Sequence, residues 1–383
     1  MEVHDVLIVG AGPAGSVAAA VLARAGARVL LVDRASFPRD KLCGDSLNPG
    51  ALALLRRLAL ATTVERDGLA IDGMTVTGEG GVTIEGRYPD GLTGRSLSRS
   101  DFDRMLLQDA AAAGVTVETG VPVRHALVDG GLVTGVSAGS NGRARTLRGR
   151  VTIGADGRHS ALAFGLGLAR HPVRPRRWAI GAYVTDATGS SSRGEMHVRR
   201  GRYIGVAPLP GNLTNVCLVV PARGATPDFG NPEKLLRAEL ARDERLRDRF
   251  AGARLVRPPA VLGPLAVEAT GNQVDGLLLA GDASGFIDPM TGDGMRFAIR
   301  GGELAAEAAL DALEHGWTGV HARLAEKRRR EFAAKWRFNR TLRALVGSSS
   351  AVSVAAPVAR LLPSVIQAIV CRAGDCQRVP KVR

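Results

Sequence analysis

The hexapeptide Gly10-Ala-Gly-Pro-Ala-Gly15 restricts what this chain can fold into more than any other stretch. The run before it, Asp5-Val-Leu-Ile-Val9, is short, apolar and β-branched, as a buried parallel strand requires. The run after it, Ser16–Ala25, is alanine-rich and helical, with Gly26 placed to stop it. Ala27–Asp33 then reads as a second strand that ends in a carboxylate, 23 residues after Gly10. Each glycine has a distinct task. Gly10 permits the tight turn, Gly12 lets the backbone approach a pyrophosphate, and Gly15 lets helix and strand pack closely. Pro13 and Ala14 complete the turn, the helix N-terminus faces the phosphates, and Asp33 is placed to accept ribose hydroxyls with Arg34 beside it. The expectation is a dinucleotide site.

Composition limits the alternatives. Hydrophobic residues make up 45% and aromatics only 4% of 383 residues, so the core must be mostly Ala, Val and Leu. The first strand begins by Asp5, which leaves no room for a signal peptide. The apolar stretch Ala351–Val370 contains Pro357, Arg360 and Pro363, and reads as a packing helix pair rather than a membrane span. Four cysteines in a chain this long point to a reducing cytoplasm, and Cys371 and Cys376 read as an unrelated pair rather than a disulfide or metal site. No metal site is expected. The net charge is +14, yet only five of the 51 cations are lysine, and the arginine clusters read as solvated faces rather than a nucleic-acid surface. The functional alternative for them is attraction of a phosphorylated coenzyme, a carrier protein or an anionic membrane surface.

Along the chain, Leu52–Leu60 reads as a helix and Gly73–Tyr88 as a hairpin turned at Gly78–Gly81. Ser100 is a candidate N-cap, with Asp103 at N3, for a helix that Gly114 ends. Strands at Val115–Glu118, Val121–Val128, Leu132–Ala138 and Leu147–Ile153 follow, the last delivering Gly154-Ala-Asp-Gly157. Runs at Ala179–Thr185, Gly194–Val198, Tyr203–Val206 and Asn215–Val220 suggest a second, antiparallel sheet beside a charged helix at Pro232–Phe250. Gly276–Ala280 is again a short buried strand, and a long helix runs from Gly294 to Leu310. The expected fold class is α/β: a Rossmann-like nucleotide-binding domain with an inserted, largely antiparallel substrate sheet and C-terminal helices. The first would comprise residues 1–75, 98–170 and 265–345, the second 76–97 and 171–264, and the C-terminal arm 346–383.

Three separated elements then address one ligand: the glycine turn with Asp33, the turn carrying Asp156, and Gly281-Asp282 followed by Asp288-Pro-Met-Thr-Gly-Asp-Gly294. A helix starting near Met295 would present free N–H groups to negative charge on a reduced flavin. In this order and spacing the motifs resemble the FAD-dependent aromatic hydroxylase superfamily (group A flavin monooxygenases) and its geranylgeranyl reductase-like branch. The resemblance covers about residues 4–340. It implies that Gly10, Gly12, Gly15 and Asp33 hold the ADP half of FAD, with Arg99 near the pyrophosphate. It implies that Asp156 supports FAD and a visiting NAD(P)H, that Asp282 binds the ribitol or pyrophosphate side, and that Pro289, Gly292, Gly294 and Met295 lie beside the isoalloxazine. With no second glycine turn, NAD(P)H would be a transient reductant.

Phe37-Pro-Arg-Asp-Lys-Leu-Cys-Gly44 is similar to the Lys-x-Cys-Gly signature of the reductase branch, which places Lys41 and Cys43 at the cofactor and makes Cys43 the candidate catalytic group. Tyr203-Ile-Gly-Val-Ala-Pro208 departs from that branch's Tyr-x-Trp-x-Phe-Pro, small residues replacing both aromatics. Tyr183, His197 and Tyr203 are candidate substrate contacts. The preferred expectation is an NAD(P)H-fuelled monooxygenase that hydroxylates or epoxidises a bulky apolar polyketide- or isoprenoid-like substrate through a flavin C4a-hydroperoxide. The alternatives are a reductase of C=C bonds and a non-catalytic flavin-binding redox partner.

Overall fold

The computed structural model describes residues 3–139, 144–173, 177–189, 191–221, 229–286, 292–346 and 363–378. In the first sheet the strand Val3–Val9 lies between Val29–Asp33 and Arg145–Gly154, parallel to both, and Thr116–Thr119 adds a further parallel strand outside Val29–Asp33. The other edge of Arg145–Gly154 is shared. Its first half pairs antiparallel with Leu132–Ala138, which folds back onto Val123–Asp129, and its last three residues pair parallel with Leu277–Leu279. Register places Val9, Val32, Gly154 and Leu279 side by side at the carboxyl ends of four strands. That row assembles the three sequence motifs, because each begins where one of these strands stops.

Both faces of this sheet are covered, which is why its strands are continuous apolar runs. On one face Val6, Ile8, Leu31 and Ile153 pack against the helices Pro13–Arg24, Arg99–Ala112 and Gly294–His315. On the other, Leu7, Val9, Leu30 and Val32 meet Val133, Val136 and Leu162. The helix Arg99–Ala112 starts earlier than Ser100 allows. Ser98 is its N-cap and accepts the Asp101 amide at 3.1 Å, while Asp103, two residues past the N3 position, pairs with Arg99 instead. The helix predicted over 52–60 runs from Pro49 to Arg57, and that predicted over 232–250 divides into Pro232–Arg242 and Arg247–Phe250 at Asp243.

The second sheet runs Arg254–Leu255, Arg177–Thr185, Leu213–Pro221, Arg202–Leu209, Arg193–Arg199, Gly73–Thr77 and Thr83–Arg87, with Ala260–Leu262 also on Arg177–Thr185. It is antiparallel except where Arg193–Arg199 meets Gly73–Thr77. Strand pleating gives it two faces. Ile180, Ala182, Ile204, Val216 and Leu218 pack under Leu236, Leu240 and Phe250 of the charged helical segment. Ala179, Val198, Tyr203 and Val219 point the other way, toward Leu42 and Phe286 of the nucleotide-binding part. A three-stranded sheet of Ser46–Leu47, Gly94–Ser96 and Leu69–Ile71 lies between the two. At the end of the chain the helix Pro363–Ala373 lies on Thr83–Arg87: Gln367 Nε2 donates to the Arg87 carbonyl at 2.9 Å, and Gly86 leaves room for Val370.

Candidate cofactor and substrate site

At the glycine turn the backbone comes too close for side chains. Gly10 adopts φ +102°, and a Cβ there would overlap the Ala155 carbonyl. A Cβ on Gly15 would overlap the Gly10 carbonyl itself. A third close approach has no counterpart in the motif: Gly302 in the helix Gly294–His315 lies directly against Ala14. The helix Pro13–Arg24 is thus held between the sheet and the helix behind it, its N-terminus aimed past the strand ends. Asp33 is only 8% exposed; its Oδ2 accepts the Ala11 amide at 2.7 Å and its Oδ1 the Ala35 amide at 2.8 Å. These bonds fix the carboxylate across the turn and leave lone pairs for a ribose. Arg34, which follows, is exposed.

The segment after Arg34 brings in a cation that sequence reasoning missed. Arg39 Nη2 sits where it would be 3.4 Å from a Cβ on Gly12, and it contacts Asp103 at 3.0 Å. Its buried Nε has no hydrogen-bond partner among the described residues. Arg99, expected at the pyrophosphate, is instead 5% exposed and committed to a bidentate pair with Asp103 at 2.7 and 2.8 Å, its guanidinium also meeting the Cys43 thiol. Arg39 is therefore the cation over the glycine turn, and Arg99 braces it through Asp103. The only signal for Arg39 was its place in the same loop as Lys41. Lys41 reaches across to the second motif, where its Nζ would be 3.6 Å from a Cβ on Gly157; burial lowers its pKa, with Arg99 adding to the effect.

Asp156 accepts the Ala161 amide through Oδ2 at 2.8 Å, while its buried Oδ1 has no partner among the described residues. Burial raises its pKa against the hydrogen bonds it accepts, so a ligand hydroxyl donating to Oδ1 would relieve a real cost. Asp282 lies in the turn Gly281–Ser284 with Lys41 and Arg158 in its field. Gly292, at φ +70°, and Asp293 lead into the helix that begins at Gly294 and Met295. Asp293 turns away from the strand ends: it accepts Asn48 Nδ2 at 3.1 Å and Asn339 Nδ2 at 3.0 Å, and pairs with Lys335 at 3.2 Å. Its charge is thus neutralised behind the helix N-terminus. Pro289 lies outside the described residues.

In the second sheet, residues facing the nucleotide-binding part form rows across the strands. One row is Tyr183, Asn215 and Ala207; the next is Gly181, Cys217 and Gly205; the third is Ala179, Val219 and Tyr203. Leu42 fills the space above Gly181, but a Cβ on Gly205 would have only backbone atoms near it, none closer than 3.9 Å. Gly205 therefore leaves room in the middle of this face, next to the buried Ala207. Tyr183 and Tyr203 belong to it. His197 does not: it sits on the opposite face, 2% exposed, with Nδ1 2.9 Å from Thr77 Oγ1 and Nε2 2.9 Å from Glu195 Oε2. Arg249 grips the same Glu195 at 2.7 and 2.9 Å. His197 is a structural residue of the charged layer beneath the sheet, not a substrate contact.

Where the loop meets this face, Asp45 is fully buried and adopts φ +53°. Its carboxylate accepts the Arg99 amide at 3.2 Å, the Asn215 side-chain amide and the Tyr183 hydroxyl. Burial outweighs these bonds and pushes its pKa up to about 7. Asn215 also donates to the Cys43 carbonyl at 2.9 Å, and burial raises the Cys43 thiol, keeping it protonated at neutral pH. On the far side of Asp282 a cavity of about 430 Å³ is lined by Phe286, Phe297, Phe332 and Trp336 with Arg328 at its wall. Phe297 and Phe332 meet edge to face, 5.1 Å apart.

Comparison with known proteins places this architecture. Residues 3–336 match the family described as FAD binding domain, and the chain belongs to that family. A menaquinone reductase from Mycolicibacterium smegmatis is 32% identical over 79% of this chain and 75% of its own length. A digeranylgeranylglycerophospholipid reductase from Methanothrix thermoacetophila is 32% identical over 86% and 84%. Among solved structures, a geranylgeranyl bacteriochlorophyll reductase-like protein from Thermoplasma acidophilum superposes with TM-score 0.83 at 20% identity, covering 98% of this chain and 96% of that one. A flavin-dependent brominase gives 0.83 at 21%, covering 98% and 94%. The chain is an FAD-binding oxidoreductase of the geranylgeranyl reductase-like branch. Its residues fit the cofactor: the clasped glycine turn, the partnerless Asp156 Oδ1 and the Arg39 Nε are placed along one line of strand ends.

Proposed function

We propose that this family member is an FAD-dependent reductase that saturates C=C bonds in a polyprenyl chain. The observation that carries the reading is the agreement between two kinds of relative, at 32% identity each, whose named substrates differ in headgroup. What menaquinone and a digeranylgeranyl lipid share chemically is an unsaturated isoprenoid chain. The room on the sheet face at Gly205, and the aromatic cavity beside Asp282, suit such a chain. Monooxygenation, the first expectation from sequence, rested on the altered Tyr203–Pro208 segment and on the usual chemistry of the superfamily that the chain resembles. That segment leaves room at Gly205, and such room serves either reaction.

Bound FAD supplies two-electron chemistry. Gly10, Gly12, Pro13, Ala14, Gly15, Asp33, Arg39 and Asp156 would hold it, with Lys41 and Asp282 facing each other along it. Gly294 and Met295 would bring the helix dipole to the ring, and Cys43 would border it from the loop. Leu42, Val198 and Tyr203 exclude water from the sheet side. NAD(P)H is proposed as the transient reductant. No helix among the described residues is long and apolar enough to cross a membrane. A polyprenyl substrate would be drawn from an anionic membrane surface by exposed arginines such as Arg329 and Arg330, on the cytoplasmic side.

Anaerobic turnover tests the reading. With flavin reduced beforehand and oxygen excluded, a polyprenyl lipid should be reduced and the flavin reoxidised. Product that forms only when oxygen is admitted would establish monooxygenation instead.

A further inference from the structure

Asp45 and Tyr183, which stand apart from the residues assigned to the cofactor, form an acid–hydroxyl contact on the substrate side in which the acid is fully buried. We propose that they are the proton-delivery pair of the reductase, Tyr183 passing to the substrate a proton that Asp45 resupplies. The inference rests on the reductase reading above, because only saturation of a C=C bond demands a proton at carbon.

Three features carry it. The first is placement: Tyr183, Asn215 and Ala207 form one row on the sheet face that looks toward the nucleotide-binding part, beside the row in which Gly205 leaves room. The second is backbone. Asp45 adopts a left-handed φ of +53°, a conformation that Asp and Asn tolerate better than other side-chain-bearing residues, and it turns the carboxylate inward from the Cys43 loop. The third is charge. Arg99, on the helix packed over Asp45, gives it a backbone amide while its guanidinium is taken by Asp103. From the strands only Asn215 and Tyr183 reach it, and both are neutral; from its own loop, Cys43 is a neutral thiol. Arg257 lies 4.7 Å over the Tyr183 ring and is paired with Asp40. Among the described residues no cation pairs directly with Asp45; the Arg99 charge acts on it from beside Asp103, and burial outweighs that charge, so Asp45 titrates near neutrality.

The step balances. One alkene carbon receives a hydride from the reduced cofactor, which is oxidised by two electrons. The other forms a C–H bond as the Tyr183 O–H bond breaks. Asp45 returns a proton to the phenolate oxygen, and regains its own from water through the same hydroxyl once product has left. Asp45 is sealed and Tyr183 half-buried, so of the pair Tyr183 is the member with exposed surface.

The test is single turnover without oxygen, with dithionite-reduced holoenzyme mixed with digeranylgeranylglycerophospholipid in detergent. Flavin reoxidation and product mass are followed across pH. Asp45→Asn keeps the left-handed backbone and should bind and reduce FAD normally. Its reoxidation by lipid should be slower by about 10²–10⁴-fold and lose the pH dependence seen near neutrality in the parent. Tyr183→Phe should show a similar loss. Asp45→Asn turning over at the parent rate with an unchanged pH profile would overturn the proposal. A parent enzyme that leaves the lipid unreduced would overturn the reductase reading and the proposal with it.

Discussion

Asn48 and Asp293, 245 residues apart in the chain, are joined by a 3.1 Å hydrogen bond from Nδ2 to Oδ1. Asn48 also caps its own helix by accepting the Ala51 amide at 2.8 Å. The loop bearing Lys41, Cys43 and Asp45 is thereby tied to the start of the helix Gly294–His315. Lys335 completes the tie: it pairs with Asp293 at 3.2 Å and donates to the Arg372 and Ala373 carbonyls at 2.7 Å each. Helix Val320–Val346, the C-terminal turn and helix Gly294–His315 meet at one buried ammonium.

Removing that ammonium should unsettle all three. Lys335 is 3% and Asp293 1% exposed, so Lys335→Met takes the cation from a buried carboxylate that also accepts the Asn48 and Asn339 side-chain amides. Breaking a buried pair in this way costs about 3–5 kcal/mol. Urea denaturation should show a loss of that size, and flavin should be released earlier in the titration than in the parent.

The glycine turn predicts a sharper loss. A side chain at Gly15 would occupy the position of the Gly10 carbonyl, and no rotamer relieves an overlap at Cβ. Gly15→Val should purify without flavin, or with FAD affinity reduced at least about 100-fold, equivalent to about 2.7 kcal/mol. The flavin absorbance of purified protein measures it. Gly26→Ala is the control. It too stands at positive φ, +88°, but a Cβ there would meet nothing within 4 Å, so only stability should fall, by about 1 kcal/mol.

The cofactor half of the site was legible because its determinants are local. Gly10, Asp33, Asp156 and Asp282 each follow a short apolar strand, and strand, turn and residue are contiguous in sequence. The substrate half was not. Both faces of the second sheet carry apolar side chains, so alternation along Arg193–Arg199 could not say which way His197 points. Asp45 acquires its character from Arg99, Tyr183 and Asn215, the farthest 170 residues away, and nothing in Lys41–Ser46 announces them. The cap at Ser98 rather than Ser100 turned on a two-residue choice between serines of equal propensity.

The two faces of that sheet can be told apart by substitution. His197→Gln removes contacts to Thr77 and Glu195 on the closed face, while Arg249 still pairs with Glu195. It should cost about 1–3 kcal/mol of stability and leave KM for a polyprenyl lipid unchanged. Gly205→Trp projects into the open face instead. It should retain flavin and stability, and reduce kcat/KM for that lipid by about 10–200-fold. Steady-state rates beside thermal melts separate the outcomes, and equal effects on both variants would contradict the assignment of faces.

Asp45 also predicts how stability varies with pH, independently of turnover. Its pKa is about 7 in the folded protein against 3.8 for the exposed side chain. Between those values the native state binds more protons than the unfolded chain, so this group's contribution to stability declines as pH rises, from full below about 4 to lost above about 7. A displacement of about three units corresponds to about 4 kcal/mol, an upper figure because water can reach a buried carboxylate once it ionises. Glu195 acts in the opposite sense. Burial raises its pKa but His197 and Arg249 more than offset that, so its contribution is present above 4.5 and lost only in acid. The two windows do not overlap near neutrality. Asp45→Asn should therefore gain stability relative to the parent steadily between about pH 4 and about pH 7, by up to about 4 kcal/mol, and level off above. Urea titrations of both proteins with FAD at a fixed excess would show it; parallel stability profiles across that range would mean that Asp45 is ionised throughout.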